Sequence, residues 1–293
     1  MEIGLINAGG PPETITRCAQ VAEDAGFASI WVPEHVVFFE EYEASYPYSE
    51  SGRPPMTTDS GMLEPLNLLS FIAAHTQRIR LGTGVFLLPQ RNPVYTAKEA
   101  TTVDVLSNGR LDLGIGVGWL REEFQAVGVP FEKRGVRCDE YIEVIRRLWS
   151  GDEVEFSGDY YQLRPCVQSP RPVQRPHPPI LVGGVSPPAL RRAATLGDGW
   201  VAVNLGPDEA ASQMKRITEI RRAAGLEMAG FRTSLMAVNF PIEPEELPRY
   251  RDAGIEQLIL APMRRDRVIR GAEDLYELIR ELARDFIDSG RTL

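Results

Sequence analysis

Eight short apolar runs, many of them β-branched, recur along the 293-residue chain, and stretches with helical periodicity lie between them. The runs are EIGLIN (2–7), SIWVPEH (29–35), IRLGTGVFLL (79–88), LDLGIGVG (111–118), PPILVGGV (178–185), GWVAV (199–203), RTSLMAV (232–238) and QLILAP (257–262). Between or after them, sets such as Ile15, Cys18, Ala19 and Ala22, or Tyr141, Val144, Ile145 and Leu148, place apolar groups on one face of a helix. The last such set is Leu275, Leu278, Ile279, Leu282 and Phe286. Repeated strand–helix units build a parallel sheet with helices outside it. Eight of them close most simply into a (β/α)8 barrel, whereas an open doubly wound sheet stops nearer about six strands and carries a dinucleotide fingerprint early. The expected fold is therefore an α/β TIM barrel, with residues 1–293 forming a single domain.

That fingerprint is absent. In LDLGIGVGWLREEF (111–124) the G-x-G-x-x-G register started at Gly114 meets Trp119 where the third glycine belongs, and the register started at Gly116 meets Arg121. Gly114, Gly116 and Gly118 instead repeat with the period of a strand, which leaves one face without side chains. LGTGVFLLP and ILVGG repeat the device. A glycine near a strand end is either a bend that fits the barrel's curvature or a place where a flat ligand lies against backbone. Three neighbouring strands of this type define a flat-walled slot at the carboxyl ends, where barrels of this class carry their sites.

Two segments exceed the bare barrel. Residues 36–62, VVFFEEYEASYPYSESGRPPMTTDSGM, are long, aromatic and punctuated by proline and glycine, which suits a lid or binding loop at the mouth. Between the fourth and fifth strands, residues 151–178 hold GDEVEFSGDYYQL and a proline-rich run, expected as a small hairpin.

Position selects the candidate residues. The second run ends in WVPEH, where Glu34 and His35 offer a carboxylate and an imidazole able to move a proton near neutral pH, or else a cap and a structural histidine. His75 and His177 lie in a helix end and in the proline-rich connection and are expected to be structural. Gly183, Gly184, Val185 and Ser186 precede a helix that starts with a proline pair, and free amides at such a start suit an anionic phosphate. The three histidines are scattered and no acidic cluster has ligand spacing, so no metal is expected. A formal charge of −9 disfavours nucleic acid and anionic membranes as partners. Cys18, Cys138 and Cys166 show neither disulfide nor zinc spacing, and no window reaches the length of a membrane span. A reducing cytoplasm is the expected location.

Taken together, WVPEH, RLGTGVFLLPQRNPVYTAKEATTVDVLSNGRLDLGIGVGW, EYIEVIRRLWSGDEVEFSGDYYQL and PPILVGGVSPPALRRAATLGDGW resemble the bacterial luciferase-like superfamily of flavin- and coenzyme F420-dependent oxidoreductases, in the family's order and over most of the chain. The combination resembles an F420-dependent group most closely. The resemblance implies F420 as cofactor, with FMN and a flavin-dependent monooxygenase as the alternative. It implies a ring held across the carboxyl end of the barrel against the third strand, at Thr83, Gly84 and Val85, often with a non-proline cis peptide, here Gly84–Val85. It further implies a phosphate turn at Gly183, Gly184 and Val185, with Glu34 and His35 beside the ring, and the glycine slot read above adds ring contacts at Gly116 and Gly118. The family's sugar-phosphate dehydrogenases carry a glutamate acid just after the fourth-strand glycines, where this chain has Arg121 with Glu122 next to it, which argues against sugar phosphates. His35 is thus the expected acid/base, with Glu34 orienting it or touching the cofactor and Glu122 as a further candidate. A homodimer acting on a small-molecule substrate is the expected assembly. The reading from another class is a carrier or sensor that binds a flavin-like ligand without chemistry.

Overall fold

The computed structural model describes residues 1–7, 9–49, 51–54, 57–58, 61–238, 240–264 and 269–288. Eleven strands occur among them: β1 (Glu2–Ile6), β2 (Ser29–Val32), β3 (Arg80–Thr83), β4 (Phe86–Leu87), β5 (Leu111–Gly116), β6 (Val154–Ser157), β7 (Gln162–Cys166), β8 (Ile180–Gly183), β9 (Gly199–Val203), β10 (Arg232–Ala237) and β11 (Gln257–Leu260). The helices are α1 (Pro12–Asp24), α2 (Pro65–His75), α3 (Pro93–Leu106), α4 (Arg121–Ala126), α5 (Arg134–Ser150), α6 (Pro187–Leu196), α7 (Pro207–Ala223), α8 (Leu247–Asp252) and α9 (Ala272–Ala283).

The parallel strands lie in the order β3, β2, β1, β11, β10, β9, β8, β5, and β3 pairs with β5 to close the ring. β3 and β4 are two pieces of one barrel strand, interrupted at the cis peptide Gly84–Val85. Eight barrel strands result, as the alternation in the sequence predicts. Most end sooner than their apolar runs: β2 stops at Val32 because Pro33 has no N–H for the ladder, and β8 stops at Gly183, before the turn into α6. The expected hairpin is β6–β7, antiparallel, with Glu140 of α5 accepting the amides of Asp159, Tyr160 and Tyr161 in its turn at 2.8, 2.9 and 3.2 Å. Within the expected lid of residues 36–62, Glu50, Pro55, Met56, Asp59 and Ser60 lie outside the described residues.

Two cores share the barrel wall. The larger one packs helix faces on the outside of the sheet, and a smaller one of Trp31, Leu181, Val201, Met236 and Ile259 fills the inside. Trp31 dictates several glycines. Its indole Nε1 donates to Ser29 Oγ at 2.7 Å, and its ring lies where a β-carbon on Gly82 would stand. A β-carbon on Gly114 would collide with the Thr83 carbonyl oxygen and come within 3.1 Å of the same ring, and one on Gly84 would collide with the Met236 methyl. This corrects part of the slot expected from the glycine pattern. Gly84 makes room for Met236, and Gly114 for the Thr83 carbonyl of the neighbouring strand and for Trp31, because a barrel of eight strands has an interior only wide enough for packed side chains. At the amino end of the barrel the buried Asp112 carboxylate closes the core by accepting Arg80 Nε at 2.8 Å and Arg232 Nη1 at 2.5 Å.

Candidate active site

Above the Trp31 layer, at the carboxyl ends of the strands, the barrel opens into a cavity of about 1000 Å³. Of the residues that the sequence proposes, Glu34, His35, Gly84, Val85, Gly116, Gly118, Glu122, Gly183, Gly184 and Val185 all line it. Thr83 does not. Its side chain is fully buried and its hydroxyl donates to Gly114 O at 2.7 Å, so it ties β3 to β5 behind the wall.

The floor is built by Val85. After the Gly84–Val85 bond its side chain leans across β5 and β8: a β-carbon on Gly116 would stand 2.6 Å from Val85 Cγ2, and one on Gly183 2.8 Å from Cγ1. These two glycines admit the Val85 side chain, and all three residues remain on the cavity surface. Gly118 has φ +75° and no room for a side chain against Phe124, so the chain can turn there into α4 only as glycine.

The β8–α6 connection forms the second wall. Gly184 adopts φ +112°, Ser186 caps α6 by accepting the Ala189 amide at 3.4 Å, and Pro187 fills the first helical position. The Val185 and Ser186 amides have no hydrogen-bond partner among the described residues. Amides in that position, at the positive end of the helix, offer donors to an anion.

Glu34 and His35 are neighbours in sequence with different partners. Glu34 is buried, and one carboxylate oxygen accepts the Leu87 amide while the other accepts Arg91, with Nε at 3.1 Å. Arg91 stacks on the Phe86 ring, 4.2 Å from its centroid, and also pairs with Glu64 at 3.1 Å. Burial pushes the Glu34 carboxyl up, against the pull of Arg91 and the Leu87 amide. Both Glu34 oxygens are thus committed to bracing the segment after Val85. Glu34 does not orient His35.

That contact belongs to Glu123, which the sequence reading passed over in favour of Glu122. Glu123 is fully buried, and its Oε1 lies 3.3 Å from His35 Nδ1, within ion-pair distance but out of hydrogen-bond alignment, so that Nδ1 has no hydrogen-bond partner among the described residues. The same oxygen accepts the Val36 amide at 2.6 Å, while Oε2 accepts Gln90 Nε2 at 3.1 Å. Burial works to raise this carboxyl, but the His35 contact, Gln90 and the Val36 amide together hold it below the usual carboxylate range. The available signal was its neighbour Phe124: in α4 an apolar residue marks the buried face, and Glu123 falls beside it there. Glu122, on the other side, accepts the Glu43 amide through Oε1 at 3.0 Å, and its buried Oε2 has no partner. The two carboxylates of α4 therefore pin the lid at Val36 and at Glu43.

The depressed Glu123 carboxyl fixes the sign of a pH effect. Its contribution to stability is complete above the ordinary glutamate range, about pH 4.3, and is lost as the pH falls through the lower folded-state value. Between about pH 5 and pH 3 the unfolding free energy, read by urea titration, should fall more steeply in the parent than in Glu123→Gln. Glu34, shifted the other way, contributes equally to both proteins and cancels in the difference. Equal slopes would show that Glu123 carries no such linkage.

Trp119 gathers the lid. Its ring meets Tyr46, His35 and Tyr42 edge-on at 5.3, 5.8 and 5.9 Å, and Tyr46 in turn meets Tyr48 at 5.5 Å. Tyr46 and Tyr48 line the cavity, where burial pushes the Tyr48 hydroxyl up to about 12. His75 and His177 stand away from this cavity, one bonded to Phe71 O at 2.8 Å and the other to Pro178 O at 2.9 Å, as expected of structural histidines. Among the described residues no group of three His, Cys, Asp or Glu side chains is placed to hold a metal ion, and no helix is long and apolar enough to cross a membrane.

A family model described as luciferase-like monooxygenase matches residues 3–285. An uncharacterized protein of Mycobacterium tuberculosis is 34% identical over 243 residues, 83% of this chain and 82% of that protein. An F420-dependent glucose-6-phosphate dehydrogenase of Amycolatopsis mediterranei is 31% identical over 197 residues, 66% of this chain and 54% of that protein. An FMNH(2)-dependent dimethylsulfone monooxygenase of Pseudomonas putida is 30% identical over 192 residues, 64% and 47% of the two chains. Among solved structures, monooxygenase RslO1 from Streptomyces bottropensis superposes with a TM-score of 0.77 at 22% identity, covering 99% of this chain and 100% of that one. The coenzyme F420-dependent tetrahydromethanopterin reductase from Methanopyrus kandleri gives 0.75 at 18% identity, covering 98% and 99%. These two likenesses concern the fold.

Proposed function

The chain belongs to the luciferase-like monooxygenase family, whose members are oxidoreductases or monooxygenases, and from that premise we propose that it is an F420-dependent oxidoreductase of a small organic substrate. The observation that carries this reading is the convergence, in one cavity, of the Val85 floor, the open amides of the β8–α6 turn and a histidine backed by a buried carboxylate. When bound, the deazaflavin supplies hydride transfer at its C5. Val85, raised between Gly116 and Gly183, supports the ring from below, and Gly84 and Gly118 border it. Gly183, Gly184 and the Val185 and Ser186 amides hold the phosphate. His35 gives or takes the proton that accompanies reduction or oxidation of the substrate, and Glu122, which lines the same cavity, holds the lid over it through the Glu43 amide. The lid aromatics exclude water above the ring.

FMN fits the same elements, and the Pseudomonas putida relative gives that reading its weight. Titration of the apo protein with F420 and with FMN, followed by fluorescence, separates the two. The expected result is at least tenfold tighter binding of F420, with turnover of a panel of enones and quinones once the cofactor is reduced. Tighter binding of FMN overturns the choice of cofactor, and binding without turnover of any substrate by either reduced cofactor favours a carrier.

A further inference from the structure

A second cavity of about 390 Å³ lies on the far side of His35 and Trp119, the two residues that line both spaces. We propose that this outer chamber is a substrate subsite for a flat aromatic or fused-ring group, with Trp119 as the partition and His35 at the junction.

The walls argue for that occupant. Phe38, Phe39, Tyr42 and Trp119 turn toward the chamber, and Phe38, Phe39 and Tyr42 are only half-buried. Aromatic walls reward a flat π-system through offset and edge-on contacts in addition to the area they cover. Polar groups share this lining: the Arg53 guanidinium sits over the Tyr42 ring, 5.0 Å from its centroid, and Glu40, Thr57 and Thr58 border the same space. A polar substituent on the ring system therefore has both donors and a carboxylate acceptor to meet in the chamber wall.

The chamber also has a fixed frame and a useful position. Its main-chain support runs from Val36 to Glu43, and α4 pins those two amides through Glu123 and Glu122 at 2.6 and 3.0 Å. The His35 ring lies 5.2 Å from Phe38 and 5.8 Å from Trp119, between the two spaces. A molecule seated in the outer chamber thus presents its near end to the imidazole while its far end stays away from the Val85 floor. The proposal rests on the function given above only in placing the reacting end over the ring.

Binding of 2-naphthol and of phenol, measured by calorimetry on the protein loaded with whichever cofactor it prefers, tests the subsite without requiring turnover. The additional ring buries enough apolar surface for about a tenfold preference for 2-naphthol. Thr58→Trp fills the chamber and should reduce that preference to within about twofold, with cofactor affinity unchanged. Phe38→Ala, which removes one wall and leaves the space open, should reduce it about threefold and serves if Thr58→Trp does not fold. No preference in the parent, no binding of 2-naphthol, or a preference that survives both substitutions overturns the subsite. Failure of both cofactors to bind refutes the reading of the inner cavity, and the apo protein then carries the same naphthol comparison.

Discussion

His35→Ala should lower turnover by roughly 10²-fold or more, the scale of a lost general acid/base, while cofactor affinity stays within about twofold of the parent. The separation follows from the geometry. His35 reaches the cavity from the segment after β2, whereas the Val85 floor and the turn before α6 come from β3–β4, β5 and β8. Removing the imidazole leaves Val85, Gly183 and the turn amides in place. Stopped-flow measurement of the half-reaction with reduced cofactor, beside a titration of cofactor binding, reads both quantities. Unchanged turnover removes His35 from the chemistry, and parallel loss of cofactor affinity makes it a structural residue.

Glu123→Gln should lower turnover by roughly 10- to 10²-fold, a part of what a general acid/base contributes, because the carboxylate faces the imidazole without reacting itself. The amide keeps the shape and one acceptor for the Val36 amide but removes the charge that faces His35 Nδ1. The discriminating measurement is the double variant. If Glu123 acts through His35, His35→Ala with Glu123→Gln turns over no more slowly than His35→Ala alone, because the carboxylate has nothing left to position. If the two losses multiply, Glu123 acts on the fold or the lid independently of the imidazole. Glu123→Ala is the poorer probe, since it strands the buried Val36 and Gln90 donors and costs stability in its own right.

The alternation of eight apolar runs with amphipathic stretches determined the barrel, because period and length are local properties that a chain must satisfy wherever it folds. The sequence also pointed to the strand ends where the cavity opens, since the glycines and the Glu-His pair cluster there. What it did not determine was the purpose of each glycine and the pairing of each carboxylate. Gly84 and Gly114 read as a bare face for a ligand, yet the space they leave is taken by Met236, the Thr83 carbonyl and Trp31, residues 31 to 152 positions away from them. Glu34 stands beside His35 in the chain but is drawn to Leu87 and Arg91, whereas Glu123, 88 positions further on, closes on the imidazole. Those choices depend on which side chains the closed ring brings within a few ångströms of each other. Such proximity across distant strands is not encoded in local periodicity, and only the tertiary structure decides it.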